Sequence, residues 1–299
     1  MEPSAVPAAG RSRTARLVIE GMRPRQWLKN AFVFGGLLYS GEFLDAGSLA
    51  TALAVFFAFC LASGATYLVN DSVDAQTDRL NPRTAGRPIA RGDLSRRTAL
   101  AAAAIATASA LAITALVNWQ TLVTMAGFLA LQVAYSLFLK HLLFVDVMTV
   151  AAGFVVRAYA GLVAIDVEIS EWLLLCTGLL ALFIGFGKRR GEAVALGGRV
   201  HPQRPVLEQY SVDLIDELIA VVTPSIIVAY SLYAVLAARS QVMLLTVPFV
   251  MYGVFRVLFL IHHRSRLPED PTTVVWMDRP LQACILLWGV SAGAISALS

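Results

Sequence analysis

Residues 50–70 read ATALAVFFAFCLASGATYLVN, a stretch of the sequence without a single charged side chain. A transmembrane α-helix needs about 20 mostly apolar residues to cross roughly 30 Å of hydrocarbon. This stretch therefore predicts a membrane-spanning helix. The polar run DSVDAQTD follows at once, over residues 71–78, so that three carboxylates stand where the predicted helix leaves the membrane.

The composition of the whole chain agrees with a membrane protein. Of its 299 residues, 58% are hydrophobic and 15% are charged, and the mean hydropathy is +0.69. Soluble domains are about 45–50% apolar and about 25% charged. The difference excludes a disordered chain, a nucleic-acid-binding protein and almost every water-soluble class. The three cysteines lie in separate apolar stretches, which favours small buried side chains over a disulfide or a zinc site.

Apolar stretches of similar length recur along the chain, and nine of them are predicted to span the membrane. They cover residues 28–44, 50–70, 99–117, 119–139, 142–165, 172–187, 214–238, 241–262 and 281–298. These spans predict an all-α fold, a polytopic membrane helix bundle with about nine transmembrane helices. Residues 1–22 are predicted to form a flexible cytoplasmic N-terminal tail, and residues 23–299 a single transmembrane domain.

Basic residues are distributed unequally between the two sets of loops. With the N-terminus in the cytoplasm, nearly all of the 24 Lys and Arg residues precede the first span or lie in inner loops, whereas the outer loops contain only Arg239. Cytoplasmic loops of membrane proteins carry this excess of positive charge. We therefore expect a multi-pass protein of the cytoplasmic (inner) membrane whose N-terminus and large polar loops face the cytoplasm.

The acidic run after the second span is the most specific polar feature. On a helix, Asp71, Asp74 and Asp78 lie at positions i, i+3 and i+7, and Asn70 is in register with Asp74 and Asp78. Carboxylates this close repel one another unless a cation joins them, and their oxygens suit Mg²⁺, with Mn²⁺ as a substitute. We expect these four residues to form a metal site. The alternative is a solvated acidic cap.

Arginines follow the acidic run closely. Arg79, Arg83, Arg87 and Arg91 all lie within the next thirteen residues. A carboxylate–metal cluster with adjacent arginines is typical of a diphosphate-binding site, because guanidinium groups match phosphate oxygens. Charges so close to hydrocarbon usually mark a functional site.

These motifs resemble those of a known family. The pattern Asn-Asp-x-x-Asp-x-x-x-Asp at residues 70–78, followed by Arg-Pro-Ile-Ala-x-Gly at residues 87–92, resembles the UbiA-type intramembrane prenyltransferase superfamily. The segment RPRQWLKN at residues 23–30, the pair Tyr135 and Lys140, and Gly-Lys-Arg at residues 187–189 are similar to its decaprenyl-phosphate phosphoribosyltransferase branch. The resemblance covers about residues 22–282 and implies a UbiA-like helix bundle.

The chain departs from the superfamily pattern after the sixth span. Ordinary members carry a second acidic motif there, so that two metal clusters share one prenyl diphosphate. Here residues 187–192 read GKRRGE, in which Glu192 is the only acid. The departure favours a single metal-held diphosphate beside a phosphomonoester that is held by cations alone.

The branch that the chain resembles implies the chemistry. Its donor is 5-phosphoribosyl 1-diphosphate and its acceptor a polyprenyl (decaprenyl) phosphate in the lipid. The expected products are polyprenylphosphoryl-5-phosphoribose, a precursor of cell-wall arabinan, and diphosphate. Asp74 and Asp78 are the expected catalytic residues, since the Mg²⁺ that they hold neutralises the leaving diphosphate. The attacking phosphate is already anionic, so that no general base is required.

Eight further residues are candidates for binding the substrates, mostly because they are basic and lie at cytoplasmic span ends or beside the acidic run. They are Lys29, Arg83, Arg87, Tyr135, Lys140, Asp146, Lys188 and Arg189. Asp146 would bind ribose hydroxyls or position Lys140. The alternative for the basic residues is that they only anchor the topology, and for Tyr135 that it is an interfacial anchor.

Two other functions stay open on the sequence alone. A conventional prenyltransferase would move a prenyl group from its diphosphate to an aromatic or porphyrin acceptor. A non-catalytic transporter or lipid carrier would use the acidic run to bind a coupling cation, although such sites usually lie near the membrane midplane. Alanine- and glycine-rich helix faces permit a homo-oligomer. Membrane lipids are expected partners, and nucleic acid is not.

Overall fold

The structure is a computed structural model, and it describes residues 8–81, 84–196, 206, 209–238, 240–263 and 277–298. Within these ranges the chain forms helices, turns and short irregular connections, and no strand. The prediction of an all-α fold is confirmed.

The α-helices are numbered in chain order. They are α1 (Ala8–Gly21), α2 (Gly35–Ser40), α3 (Ala46–Val73), α4 (Ala75–Leu80), α5 (Arg96–Val117), α6 (Trp119–Leu137), α7 (Val145–Ala164), α8 (Glu171–Leu196), α9 (Val212–Leu236), α10 (Val247–His263) and α11 (Arg279–Leu298). Short 3-10 helices lie at Pro24–Phe34, Glu42–Leu44, Leu139–His141 and Gln241–Thr246.

Side-chain caps explain where two of the long helices begin. Ser95 precedes α5 and its hydroxyl oxygen accepts a hydrogen bond of 3.1 Å from the backbone N–H of Thr98. Ser211 precedes α9 and accepts a bond of the same length from Leu214. A serine in this position satisfies one of the amide groups that the first helical turn leaves without a partner. Local sequence therefore fixes both helix starts.

Eight helical segments in the described part of the chain are long and apolar enough to cross a membrane. They correspond in order to the second to ninth predicted spans. For example, the span predicted at residues 99–117 is Arg96–Val117, and the one at residues 281–298 is Arg279–Leu298. The chain is therefore a multi-pass membrane protein.

The first predicted span, residues 28–44, is not a single long α-helix in the structure. It contains the 3-10 helix Pro24–Phe34, the short helix α2 and a second 3-10 turn, instead of one long α-helix. Gly41 ends α2 in a left-handed conformation, with φ of 75°. The segment also lies directly against α7, because a Cβ atom on Gly161 would be only 1.9 Å from the carbonyl oxygen of Val33. Close backbone approach at a glycine determines the path of this segment.

The sixth predicted span, residues 172–187, is longer in the structure. Helix α8 continues to Leu196 and includes the basic residues that the sequence analysis placed in a loop. Lys188 and Arg189 both pair with Glu192, one helical turn further along. Such pairs at i+3 and i+4 stabilise a helix. They explain why the polar sequence stays helical.

The chain forms two compact units. The first contains residues 1–31 and 54–129, and the second contains residues 32–53 and 130–299. In the first unit, Leu17 of α1, Leu68 of α3 and Leu94 share one apolar core. In the second, α8 packs on both α7 and α9, around buried side chains such as Phe183 and Ile219. The predicted tail at residues 1–22 includes helix α1, and its flexibility stays a prediction.

Candidate active site

The acidic run lies at the break between α3 and α4 in the first unit. Helix α3 ends at Val73, Asp74 has a non-helical backbone (φ −85°, ψ 4°), and α4 begins at Ala75. The hydrogen bonds from Asp74 N–H to the Asn70 carbonyl (2.9 Å) and from Asp78 N–H to the Asp74 carbonyl (2.8 Å) bridge this break. The four predicted ligands thus follow a slightly interrupted helix rather than a regular one.

Two of the predicted metal ligands converge on one arginine. Asp71 and Asp78 are only 3% and 2% exposed, and Nη1 of Arg87 donates to both, at 3.1 Å to Asp71 and 2.6 Å to Asp78. Nη2 of Arg23 donates to the same Asp71 oxygen that Arg87 contacts. We call these four residues, Arg23, Asp71, Asp78 and Arg87, the Asp71 cluster. In it, two positive and two negative charges neutralise one another.

The other two predicted ligands, Asn70 and Asp74, are half-buried beside this cluster. In the described residues, no three His, Cys, Asp or Glu side chains gather closely enough to hold a metal ion. The oxygen donors nonetheless fit a divalent cation, because Asp71 and Asp78 already meet at a single positive group. Carboxylate oxygens are the ligands that Mg²⁺ and Mn²⁺ prefer.

A hydrogen bond and two ion pairs hold the loop that carries Arg87. Nε of Arg79 donates to the carbonyl of Ala90 at 2.7 Å. Arg91 contacts both Asp93 and Glu20 of α1, and these bonds raise its pKa above the usual value for arginine. The loop is thereby connected to α1 and to α4, and both connections hold Arg87 in position. Arg83, a predicted phosphate ligand, lies outside the described residues.

Lys29 is connected to α3 through a glutamine. Its Nζ donates to the Gln26 side-chain oxygen at 3.3 Å, and the Tyr67 hydroxyl donates to the same oxygen at 2.6 Å. Tyr67 lies one helical turn before Asp71. The structure therefore places Lys29 on the network that surrounds the Asp71 cluster.

The second unit contains a separate charged network around Asp146. Asp146 is fully buried near the start of α7 and accepts hydrogen bonds from Nε of Arg189 (2.7 Å) and from the Tyr210 hydroxyl (2.8 Å). Arg189 also donates to Glu192. We call these residues, Asp146, Arg189, Glu192 and Tyr210, the Asp146 cluster. Because Arg189 is buried, its positive charge is neutralised by Asp146 and Glu192 inside the protein.

Tyr210 ties the segment before α9 to the start of α7. Besides donating to Asp146, its oxygen accepts a hydrogen bond of 2.9 Å from the backbone N–H of Phe144, which has an unusual positive φ of 65°. Burial is the main cause that raises the pKa of Tyr210 above the usual tyrosine value, and the bond to Asp146 adds to it. The phenol is therefore neutral over the physiological range.

The remaining candidates lie around the Asp146 cluster. Tyr135 is close enough to Arg189 for an electrostatic interaction. Lys188 is one-third exposed, and its Nζ is 3.9 Å from Glu192. Lys140 lies half-buried in the 3-10 turn Leu139–His141. Of the predicted cations here, Lys188 and Lys140 therefore remain accessible to a ligand, whereas Arg189 does not.

A family model for the UbiA prenyltransferase family matches residues 31–277. This chain belongs to that family. The resemblance inferred from the sequence motifs is confirmed, and the chain is a transferase of the UbiA type.

Two curated relatives align with this chain over more than nine-tenths of its length. The chain is 30% identical to the decaprenyl-phosphate phosphoribosyltransferase of Mycolicibacterium smegmatis, over 98% of this chain and 97% of the relative. It is also 30% identical to the protein of the same name from Mycobacterium tuberculosis, over 93% of each chain. Similarity over the full length agrees with the branch that the sequence motifs indicate.

Solved UbiA structures share the fold. A UbiA homologue from Archaeoglobus fulgidus, bound to GPP and Mg²⁺, has a TM-score of 0.74 at 18% identity and covers 94% of this chain and 99% of its own. The same homologue bound to DMAPP and Mg²⁺ has a TM-score of 0.73 at 17% identity. At this identity the likeness establishes a UbiA-like fold.

Sequence reasoning did not select every residue of these networks. Arg23 belongs to the motif at residues 23–30, but its pairing with Asp71 is separated by 48 positions and has no spacing signal. Tyr210 is a single tyrosine in a polar loop, without a pattern that predicts its partner. The bidentate pair of Arg190 and Asp216, at 2.6 and 3.2 Å, was also not predicted, and it fixes α8 to α9.

Proposed function

We propose that this UbiA-type transferase moves 5-phosphoribose from 5-phosphoribosyl 1-diphosphate to a polyprenyl phosphate of the decaprenyl type. The bond from ribose C1 to the diphosphate oxygen breaks, and a bond from C1 to the acceptor phosphate oxygen forms. The products are polyprenylphosphoryl-5-phosphoribose and diphosphate. The observation that carries the proposal is full-length similarity to relatives named for this transfer, in a chain whose buried carboxylates are bordered by arginines.

The acidic run is the proposed metal and diphosphate site. Asn70, Asp71, Asp74 and Asp78 would hold Mg²⁺ or Mn²⁺, with Asp74 and Asp78 as the catalytic pair. A bound divalent cation supplies Lewis-acid neutralisation of the leaving diphosphate. Two observations support the assignment: two buried carboxylates meet at one positive group, and a family member was solved with Mg²⁺ and another structure of it with Cd²⁺.

Basic residues of the first unit are the proposed ligands of the donor. Arg87 borders the carboxylates and its side chain is 30% exposed, so that phosphate oxygens can approach it from solvent. Lys29 lies on the neighbouring network, and Arg83 is proposed from its place in the sequence. A planar guanidinium binds phosphate oxygens in a bidentate manner, and this favours arginine at such a site.

Residues of the second unit are the proposed ligands of a phosphomonoester. Lys188 and Lys140 are partly exposed cations, and Tyr135 is within electrostatic range of Arg189. Arg189 and Asp146 would act by positioning, because both are buried and paired with each other. The acceptor phosphate is anionic at neutral pH, and the chain therefore need not supply a general base.

The location follows from the charge distribution. We place the protein in the cytoplasmic membrane with its N-terminus and its site toward the cytoplasm, since the basic residues concentrate on one set of loops. A water-soluble sugar donor reaches a site on that side directly. The product would then be a precursor for cell-wall arabinan.

Radiolabelled transfer is the test. Purified protein is given Mg²⁺, ribose-labelled 5-phosphoribosyl 1-diphosphate and decaprenyl phosphate, and label that enters the organic phase is measured. We expect a labelled lipid whose formation requires both substrates and stops when the metal is chelated. If the protein is folded and the label nevertheless stays in the aqueous phase with the donor, the proposal is contradicted.

A conventional prenyltransferase is the second candidate. It is favoured by the solved homologue, which was bound to the prenyl diphosphates GPP and DMAPP. The basic sequence at residues 187–192 argues against it, because no second acidic motif is present there. Prenyl transfer from geranyl diphosphate to an aromatic acid in the same assay would establish this candidate instead.

A further inference from the structure

The carboxylates of the Asp71 cluster are covered by the arginines that neutralise them. The side chains of Arg23 and Arg87 are 25% and 30% exposed, whereas Asp71 and Asp78 are almost completely buried. A cation from solution therefore meets the guanidinium groups before it reaches a carboxylate. At least one guanidinium must move before a metal ion can bind between Asp71 and Asp78.

Arg23 has a second contact that does not depend on Asp71. Its guanidinium carbon is 4.6 Å from the centre of the Tyr67 ring, a distance typical of a cation–π interaction. Tyr67 is held in turn by its bond to Gln26. The guanidinium can therefore leave Asp71 and stay over the ring.

The backbone of Arg23 is also unusual. Its φ is 54°, a left-handed conformation that residues other than glycine seldom adopt. The turn is fixed by hydrogen bonds from the Arg23 N–H to Glu20 and from the Gln26 N–H to Arg23, at 3.1 and 2.9 Å. Strained residues of this kind persist where surrounding contacts hold them, and they are frequent at ligand sites.

If Arg23 left Asp71, Arg87 alone would face two buried carboxylates. Because buried negative charge without enough counter-charge is unstable, departure of the Arg23 guanidinium is favoured when another cation takes its place. A divalent cation alone would replace the charge but would repel the nearby arginines. A divalent cation together with a diphosphate supplies both a positive partner for the carboxylates and a negative partner for the guanidinium groups. Each charged group of the site then has a partner of opposite sign.

We propose that Arg23 is a substrate-binding residue that exchanges partners. It neutralises Asp71 as the structure shows, and when a divalent cation binds the carboxylates it binds the diphosphate of the donor. The inference rests on the proposed function only in that the donor carries a diphosphate. It implies that cation and diphosphate bind cooperatively.

The test measures Mn²⁺ binding to the purified full-length protein in detergent, by the electron paramagnetic resonance signal of free Mn²⁺. Titrations are made with and without inorganic pyrophosphate and are corrected for the Mn²⁺–pyrophosphate complex. In the wild type, we expect pyrophosphate to tighten Mn²⁺ binding roughly tenfold, a usual size for coupling between two ligands.

The variant Arg23→Gln gives two effects of opposite sign. Because a competing charge is removed from Asp71, Mn²⁺ alone should bind several-fold more tightly, on the order of five- to tenfold. Pyrophosphate in the presence of Mn²⁺ should bind about tenfold more weakly, since a phosphate ligand is lost. The matched control is Arg25→Gln, an exposed arginine two positions further along the chain, which should behave like the wild type.

A different result is expected if Arg23 only stabilises the fold and does not bind the diphosphate. If Arg23→Gln weakens Mn²⁺ binding, or leaves both affinities equal to those of Arg25→Gln, the proposal is wrong. Where the variant does not fold, the wild-type titration decides, because independent binding of Mn²⁺ and pyrophosphate would overturn it. Neither ligand contains ribose or a prenyl group, so failure of the transfer assay leaves this result interpretable.

Discussion

The two charged clusters of this protein contain the same kinds of side chain but are exposed to solvent differently. In the Asp71 cluster the acids are buried and the two arginines are partly exposed. In the Asp146 cluster both members of the central pair, Asp146 and Arg189, are buried. An ion pair with one accessible partner can exchange that partner for a ligand. A pair that is buried on both sides instead fixes the elements that carry it.

This difference separates residues that bind from residues that position. The sequence predicts a phosphate ligand at both Arg87 and Arg189, but burial and pairing decide whether such an arginine binds a ligand or positions other residues. Arg87 has one accessible side, whereas Arg189 is enclosed by Asp146 and Glu192. Variants of the two clusters should therefore fail in different ways, the first in catalysis and the second in stability.

The largest effect is expected for Asp78→Asn. The change keeps the side-chain shape and the Arg87–Asp71 contact, but it removes a carboxylate from the proposed metal site. We expect a loss of transfer of roughly a thousandfold, the size that loss of an electrostatic contact to a transition state produces. Initial rates of labelled-lipid formation measure it. Asp166→Asn, at an exposed aspartate of the second unit, serves as control. A near-normal rate for Asp78→Asn would refute the metal assignment.

Asp146→Asn should lower the free energy of unfolding. It removes the carboxylate charge that faces the buried Arg189 from α7 and leaves the Arg189–Glu192 pair in place, and breaking a buried pair costs about 3–5 kcal/mol. Unfolding in detergent, followed by circular dichroism, measures the change. Asp216→Asn, which breaks a more exposed pair with Arg190, should cost about 1 kcal/mol or less. Equal losses for the two variants would contradict the distinction between the clusters.

The sequence predicted the spans well because each is encoded locally. The apolar stretch at residues 50–70 and the long helix α3 agree, and the capping serines mark two helix starts. The first span was harder, since its path depends on the contact of Val33 with Gly161, far away in the chain. The end of the sixth span was misjudged because polar residues stay helical when Lys188, Arg189 and Glu192 pair with one another.

The site was predictable in part for the same reason. Residues 70–78 are close in sequence, and two of the four proposed ligands, Asp71 and Asp78, indeed converge. The partners of these acids come from distant segments, as Arg23 does, and no spacing rule reveals them. Tyr210 is similar, because its bond to Asp146 arises only from tertiary packing.

A smaller effect is expected for Lys188→Ala. The loss of one accessible phosphate contact should raise the KM for decaprenyl phosphate about tenfold and leave kcat nearly unchanged, since a charge-assisted hydrogen bond contributes about 1.5–3 kcal/mol at most. Steady-state kinetics with varied acceptor measure it. The control Arg279→Ala removes an exposed basic residue at the start of α11. The same KM for both variants would mean that Lys188 only anchors the topology.

The smallest effect is expected for Tyr210→Phe, which loses the bonds to Asp146 and to the Phe144 amide, at a cost of about 1 kcal/mol. Because the folded-state pKa of Tyr210 is raised by burial and by Asp146, its contribution is complete below the ordinary tyrosine pKa of about 10. It is lost as the pH rises beyond that value, since the unfolded phenol ionises first. Wild-type unfolding at pH 8 and pH 11 should therefore differ more than that of Tyr210→Phe. The control Tyr252→Phe, which alters an exposed ring, should retain the wild-type pH dependence. If Tyr210→Phe loses as much stability between pH 8 and pH 11 as the wild type, ionisation of Tyr210 does not cause the loss.

The position of a bound metal tests the central claim most directly. A structure of the protein with Mn²⁺ and pyrophosphate, with anomalous diffraction recorded at the manganese edge, locates the ion without reference to activity. We predict a manganese peak at the acidic run of residues 70–78, bound by oxygens that include those of Asp71 and Asp78, with Arg23 and Arg87 turned to the pyrophosphate. A peak elsewhere, with both carboxylates still paired to the arginines, would contradict this account.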